Sequence, residues 1–79
     1  MEETARFFLD NGFFGVLIKD LAEIDSDILT KFYIDKHPEE QICKFVFDKY
    51  NDLLTPRQLR GRRNRAIKKM HDRYRHYLE

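Results

Sequence analysis

The chain has few of the residues that cross-link, kink or interrupt a small fold. Its 79 residues include one cysteine, two prolines, three glycines and no tryptophan. Because Cys43 has no second cysteine to pair with, an internal disulfide is excluded, and a lone thiol suits a reducing compartment. No apolar run approaches the roughly 20 residues that span a bilayer, and no secretory leader pattern is present. We therefore expect a cytoplasmic protein that does not enter a membrane.

Aromatic residues, by contrast, are plentiful. Seven phenylalanines and four tyrosines occur in a chain of this length, enough for one packed core. We expect a single domain over residues 1–79, of a size that gains stability from a partner or a second copy.

Apolar residues recur at helical spacing along most of the chain. The first predicted helix covers residues 2–10 and stops at Asn11-Gly12, since glycine adopts the left-handed conformation cheaply. Residues 13–18 fit either a strand or a helix. A loop followed by a second helix is favoured, because a lone strand has no pairing partner and Leu17, Leu21 and Ile24 continue at helical spacing.

Three more helices are predicted beyond residue 24. Asp25, Ser26 and Asp27 are residues that cap helices, which predicts a third helix over residues 27–34. Pro38 fits the first position of a fourth helix over residues 38–53. The apolar stripe of this fourth helix is wide enough to predict a central place in the bundle.

The segment that starts at Thr55 is the clearest helix start. Thr55 and Gln58 fit a capping box with Pro56 between them, and the fifth helix can run to Leu78, about 35 Å. Gly61 costs about 1 kcal/mol relative to alanine, so residues 60–64 are expected to fray. The predicted fold is all-α, a small bundle of four or five helices with a long basic C-terminal helix.

Charge divides the chain into two regions of opposite sign. Residues 55–79 hold seven arginines and two lysines against two acids, a net of +7, while residues 1–54 carry a net of −6. We describe the first 54 residues as an acidic helical core and the last 25 as a basic C-terminal helix. Such asymmetry indicates a polyanionic partner or docking of one half on the other.

Residues 4–42 contain four features in a fixed order. They are an N-terminal helix that ends in aromatics, a Gly-aromatic turn, an Asp-Leu-Ala run and an aromatic pair. The residues concerned are Ala5, Phe7, Phe8, Asn11, Gly12, Phe13, Ile18, Asp20, Leu21, Ala22, Phe32 and Tyr33. With these features the segment resembles the helix-turn-helix DNA-binding region of TetR-type repressors, which carries Leu-Tyr in place of the aromatic pair. The resemblance implies a helix-turn-helix with a DNA-reading second helix.

The resembling segment departs from the family where DNA would be read. Residues 23–27 replace the small, glycine-containing turn with a sequence that carries three carboxylates. Carboxylates at the start of a recognition helix would face phosphates of the same charge sign. Any nucleic-acid contact is therefore expected on the basic C-terminal helix.

The basic helix is the candidate nucleic-acid interface, and DNA is the expected partner ahead of RNA. Arginine predominates there, and its planar fork suits phosphate. Spacings of three and four put Arg62, Arg65, Lys69 and Arg73 together on a straight helix. The full predicted set is Arg57, Arg60, Arg62, Arg63, Arg65, Lys68, Lys69, Arg73 and Arg75. The expected function is that of a small regulatory or accessory protein.

Two alternatives remain open. In the first, the chain is a protein-interaction module, an inhibitor or modulator that docks through its acidic half. The residues of that surface are Asp20, Glu23, Asp25, Asp27, Phe13 and Phe14. A homodimer through the apolar seam of the fourth and fifth helices accompanies this reading. In the second alternative, the arginines pair with the chain's own carboxylates or form an ordinary solvated face.

Residues suited to catalysis or metal binding are not brought together by the sequence pattern. His71 and His76 are five apart, which does not align two ligands on a helix, and Cys43 has no evident activating base. We expect no catalytic residue, no metal site and no cofactor, and hence not an enzyme.

Overall fold

Five α-helices make up the fold in a computed structural model that describes residues 2–78. They are α1 Glu2–Asp10, α2 Phe14–Leu17, α3 Glu23–Tyr33, α4 Glu39–Tyr50 and α5 Pro56–Leu78. A 3₁₀ turn, Ile18–Asp20, follows α2, and no strand occurs in the described residues. The all-α prediction is confirmed, and residues 13–18 contain a helical turn. None of the helices in this range is both long and apolar enough to cross a bilayer.

Helix α5 is the element around which the others pack. It contacts α1, α2, α3 and α4, whereas the principal neighbours of α4 are α3 and α5. The prediction that the fourth helix is central is therefore wrong. Its wide apolar stripe is only partly used, and Phe47 on that stripe is exposed. The long α5 also sets the shape of the molecule, which measures 38 × 19 × 18 Å.

Two groups of buried side chains form the core, and α3 and α5 contribute to both. The first joins α1, α2, α3 and α5 through Ala5, Phe8, Phe14, Leu17, Leu29, Ala66, Ile67 and Met70. The second joins α3, α4 and α5 through Ile28, Ile42, Val46 and Leu59. Because each group needs residues on both sides of position 55, the acidic and basic regions share their core.

Between α1 and α3, helical structure is interrupted at a different place from the one that the residue spacing predicts. Gly12 has a φ of +75° and ends α1 as expected. The second helix does not continue to Ile24, because Leu21 and Ala22 are extended. Helix α3 then starts at Glu23, four residues earlier than predicted. Ser26 is not a cap. Its hydroxyl donates to the Ile18 carbonyl at 2.6 Å, which fastens the 3₁₀ turn to α3.

Helix α4 is shorter than predicted at both ends. Pro38 is extended, with ψ of 156°, and lies just before the helix, while Asn51 ends it in the left-handed conformation with φ of 55°. Asparagine tolerates this conformation better than most residues. The chain after Asn51 turns away from the helix, so that Leu53, the last residue of the predicted fourth helix, is 79% exposed.

The predicted capping box of α5 is confirmed. The Thr55 amide donates to Gln58 Oε1 at 2.9 Å, and the Gln58 amide donates to Thr55 Oγ1 at 3.2 Å. The expected fraying at Gly61 is wrong, because α5 is continuous from Pro56 to Leu78. Packing of the buried face on both sides of Gly61 outweighs the modest helical cost of a glycine.

Candidate nucleic-acid interface

The buried face of α5 divides its cations into two groups. Leu59, Ala66, Ile67 and Met70 are buried against the rest of the bundle. Cations that flank this face lie within reach of the carboxylates of α3, α4 and the preceding loops, and cations opposite to it face solvent. The position of each cation around the helix axis therefore decides what it contacts.

Arg62 and Lys69 lie on the flank nearest the start of α3. Arg62 Nε donates to Asp25 Oδ1 at 3.1 Å, and Arg62 Nη1 donates to Asp52 Oδ2 at 3.4 Å. Lys69 Nζ lies 3.8 Å from Asp25 Oδ2. Asp25 is the buried charged residue of the described chain, only 5% exposed. A buried carboxylate needs such partners, so these cations serve the fold.

Arg60 and Arg73 are also paired within the chain. Arg60 Nη1 donates to both carboxylate oxygens of Glu39, at 2.8 and 3.0 Å. Arg73 Nε donates to Asp20 Oδ2 at 3.1 Å, and this hydrogen bond and the Asp20 charge raise the pKa of Arg73. These pairs are exposed, so each contributes little stability but occupies its guanidinium.

Arg63 lies toward the buried side of α5 rather than toward solvent. Its guanidinium carbon is 5.0 Å from the centre of the Phe32 ring, a cation–π distance, and Nε donates to Asn64 Oδ1 at 3.1 Å. Arg63 therefore packs on α3 and is not presented to an external ligand.

The remaining four cations form the outer face of α5. They are Arg57, Arg65, Lys68 and Arg75, all exposed and without an ion pair to any described side chain. At 3.6 residues per turn they fall within a sector of about 80° opposite the buried face, along about 27 Å of helix. Asp72 lies in the same sector and His71 lies about 40° beyond it, with His71 Nδ1 3.9 Å from Asp72 Oδ1.

The predicted interface is thus reduced from nine cations to four. Of the residues expected to act together, Arg62, Lys69 and Arg73 are tied to carboxylates, and Arg65 alone faces solvent. The sequence did contain the signal that separates them. Arg57, Lys68 and Arg75 lie opposite the apolar stripe of α5, whereas Arg62, Lys69 and Arg73 lie beside it.

The acidic docking surface of the alternative reading is occupied by the chain itself. Each of its carboxylates is paired with a cation of α4 or α5. The pairs are Asp20 with Arg73, Glu23 with Lys49, Asp25 with Arg62 and Lys69, and Asp27 with Lys49. Phe14 is buried in the core at 5% exposure and cannot dock on a partner. Of the two phenylalanines in that predicted set, Phe13 is the one that remains at the surface.

A hydrogen-bonded cluster around Asp27 joins α3 to α4. Lys49 Nζ donates to Asp27 Oδ2 at 2.8 Å, and the Tyr50 hydroxyl donates to the same oxygen. Burial raises the pKa of Asp27, but these hydrogen bonds and the Lys49 and Lys31 charges outweigh it, so that the pKa falls below its usual 3.8. The Asp27 carboxylate therefore serves to hold α3 against α4.

Sequence reasoning did not identify an aromatic surface at the C-terminal end of the molecule. Tyr74 contacts Phe7, Phe8 and Phe13, with ring centroids 5.7, 5.4 and 5.2 Å away. Phe7 and Phe13 remain 44% and 38% exposed. Phe13 belongs to the docking surface that the sequence predicts for the alternative reading, but the spacing gives no sign that Phe7, Phe13 and Tyr74 meet.

Groups that could carry catalysis or hold a metal are not assembled among the described residues. No cluster of three or more histidine, cysteine or acidic side chains in this range is placed to bind a metal ion. Burial and the nearby Glu39 and Glu40 charges raise the pKa of the Cys43 thiol, which is the opposite of what a nucleophile needs. That the chain is not an enzyme stays a prediction.

The predicted homodimer seam is divided between core and surface. Cys43 and Leu54 pack against the second core group, and Phe47 is 44% exposed. A dimer through this seam stays a prediction, with Phe47 on α4 and Tyr77 and Leu78 on α5 left exposed.

Comparison of the chain with protein-family models, with curated proteins and with solved structures gives no match.

Proposed function

We propose that this protein is a small cytoplasmic regulatory or accessory protein that binds DNA through the outer face of α5. The proposal depends on four exposed cations that make no ion pair with a described side chain, Arg57, Arg65, Lys68 and Arg75. The flanking cations of α5, by contrast, form ion pairs with carboxylates of the acidic region. These four cations are therefore available to an external anion.

The geometry of this face suits a phosphate backbone. Duplex DNA carries one phosphate per 3.4 Å along each strand, so about 27 Å of helix passes several of them. Phosphate contacts position a protein without reading sequence, so the expected binding is weakly sequence-dependent.

Helix α3 is not the DNA-binding element in this proposal, although the TetR resemblance would assign it that role. Its first-turn carboxylate Asp25 is buried against α5, and Asp27 is bonded to α4. Pulling α3 into a groove would break these contacts and bring carboxylates to phosphates.

The proposal is tested by the salt dependence of binding to a fluorescent DNA in an anisotropy titration. Four phosphate contacts give a slope of about −3.6 in log K against log salt, or roughly a 100-fold loss between about 50 and 200 mM. Replacing Arg57, Arg65, Lys68 and Arg75 with glutamine should abolish the binding and flatten the slope. Absence of binding by the unmodified protein at low salt would refute the proposal.

A matched variant separates this face from net charge alone. Arg6, Lys19, Lys36 and Lys44 are exposed cations on the other helices and loops, and replacing all four with glutamine removes the same charge. This variant should retain most of the affinity. Equal losses in both variants would mean that the protein attracts DNA only through its overall charge.

A further inference from the structure

A shallow groove between α1 and α5 lies beside the cationic outer face. It has a volume of about 280 Å³ and is lined by Glu3, Thr4, Phe7, Phe8, His71 and Tyr74. The ring of Phe7 meets that of Tyr74 edge-on, at 5.7 Å and 71°. One side of the groove is therefore aromatic and open to solvent.

Exposure of these rings is not required by the core. Phe8, the next residue along α1, is 1% exposed and provides the buried contact with Tyr74, whereas Phe7 leaves 44% of its surface in water. Keeping an aromatic face in water forgoes the favourable burial of a large apolar side chain. A ligand that covers this face would recover it.

The groove continues directly into the cationic face. On α5, His71 lies three residues before Tyr74, three after Lys68 and four before Arg75, so its neighbours on the helix surface include all three. A ligand that rests a flat ring against Phe7 and Tyr74 can thus place an anionic group beside Lys68 or Arg75. Aromatic platforms next to cations are the arrangement with which proteins hold single-stranded nucleic acid.

We infer that the groove accepts an unpaired base and that the preferred ligand of the protein is single-stranded DNA, with its phosphates along Lys68 and Arg75. The inference rests on the proposed function and makes it more specific. A duplex offers its phosphates to the same cations, but its bases are stacked and paired, and bringing one into the groove costs free energy. Single strands should therefore bind more tightly than duplex of equal length.

The charged side chains around the groove orient the nucleic-acid strand. The Glu3 carboxylate lines the α1 side of the groove and repels phosphate, so the backbone follows α5. Lys68 and Arg75 adjoin the groove on that side and can donate hydrogen bonds to phosphate. The choice of DNA over RNA follows from the proposed function, and the titration with RNA tests it.

The test compares Phe7→Leu with Phe47→Leu in titrations of a single strand, the same strand with abasic sites, a duplex and the matching RNA. Phe47 is the matched control because it is equally exposed, at 44%, but lies on α4. Leucine keeps apolar volume and removes the stacking face. Phe7→Leu should weaken single-strand binding about tenfold and leave duplex binding and the salt slope unchanged, while Phe47→Leu changes neither. Abasic sites should weaken binding of the unmodified protein by a similar factor.

The outcomes separate this inference from the proposed function. If the four-glutamine variant of the outer face loses binding but Phe7→Leu and abasic sites do not, the outer face binds DNA and the groove does not take a base. Equal affinity for RNA would overturn the choice of DNA. Failure of the unmodified protein to bind any strand would overturn both proposals. Far-UV circular dichroism of each leucine variant verifies that the fold is kept.

Discussion

Arg62 on α5 donates to the buried carboxylate of Asp25 on α3 at 3.1 Å, across the boundary between the basic and acidic regions of the chain. Together with the pairs Arg60–Glu39 and Arg73–Asp20, this contact shows that the two regions dock on each other. The opposite charges thus serve first to set the register of α5 against the other helices. Of the cations that the structure describes on α5, those of the outer face are the ones left for a ligand.

Replacement of Arg62 by alanine should destabilise the protein by about 2 kcal/mol. Asp25 would keep Lys69 as its remaining cation, 3.8 Å away, and a buried carboxylate that loses its main partner is costly. Urea unfolding followed by circular dichroism measures the change. Lys68→Ala removes an exposed cation of the same helix and should change the free energy of unfolding by less than about 0.5 kcal/mol.

A double-mutant cycle checks that the effect runs through Asp25. On an Asp25→Asn background, Arg62→Ala should cost less than about 1 kcal/mol, since the buried charge is gone. An unchanged cost on that background would mean that Arg62 stabilises the fold through Asp52 or by packing, and not through Asp25.

Acid should weaken the α3–α4 junction through Asp27. The pKa of this carboxyl is lower in the folded protein than its usual 3.8, so the unfolded chain binds protons more readily. The stabilisation is complete above the unfolded value and is lost as the pH falls through the folded one. Asp27→Asn should therefore lower the free energy of unfolding by about 1 kcal/mol at neutral pH and flatten its fall between about pH 5 and pH 2.

Unfolding by urea at a series of pH values provides the measurement. Asp48→Asn, at an exposed aspartate without an ion pair to any described side chain, serves as the control. An Asp27→Asn profile as steep as that of the unmodified protein would show that other carboxyls govern the acid response.

The helices that could be predicted from sequence are those with strong local signals. Gly12 ends α1, and Thr55 and Gln58 start α5, because these residues act on the backbone beside them. The break at Leu21 and Ala22 has no such signal. Leu17, Leu21 and Ile24 fit one continuous helix, and the actual path depends on the bond from Ser26 to the Ile18 carbonyl, a tertiary contact.

The sequence located the candidate cations on one helix but did not separate those that face solvent from those that are paired. Spacing correctly grouped the cations on one helix, yet spacing alone cannot tell a cation that faces solvent from one that faces Asp25 or Asp20. That distinction requires the buried face of α5, which the apolar residues Leu59 and Met70 already mark in the sequence. The groove beside Phe7 could not have been anticipated, because it depends on how α1 meets Tyr74.

Replacement of Gly61 by alanine should stabilise the protein by about 0.5 to 1 kcal/mol. Gly61 lies inside α5, and an added Cβ would meet only Arg65 Nη1, at an ordinary 3.9 Å. Alanine would therefore gain helix propensity without a clash. Gly12→Ala should do the reverse and destabilise by about 1 kcal/mol, since its φ of +75° is strained for any side chain. Thermal unfolding measures both changes, and no stabilisation by Gly61→Ala would indicate that α5 is frayed at Gly61.

Separation of the chain at position 55 should abolish the fold of both parts. Ile67 and Met70 of α5 are 1% exposed and complete the first core group, and Leu59, at 0%, completes the second. A peptide of residues 1–54 would therefore expose both groups and lose its charge partners, and we expect little helical circular dichroism from it. Adding a peptide of residues 55–79 should restore helicity, and salt should weaken this reassembly because Arg60 and Arg73 pair at the surface. A helical, cooperatively unfolding 1–54 peptide would show instead that the acidic region folds alone and that α5 is an appended arm.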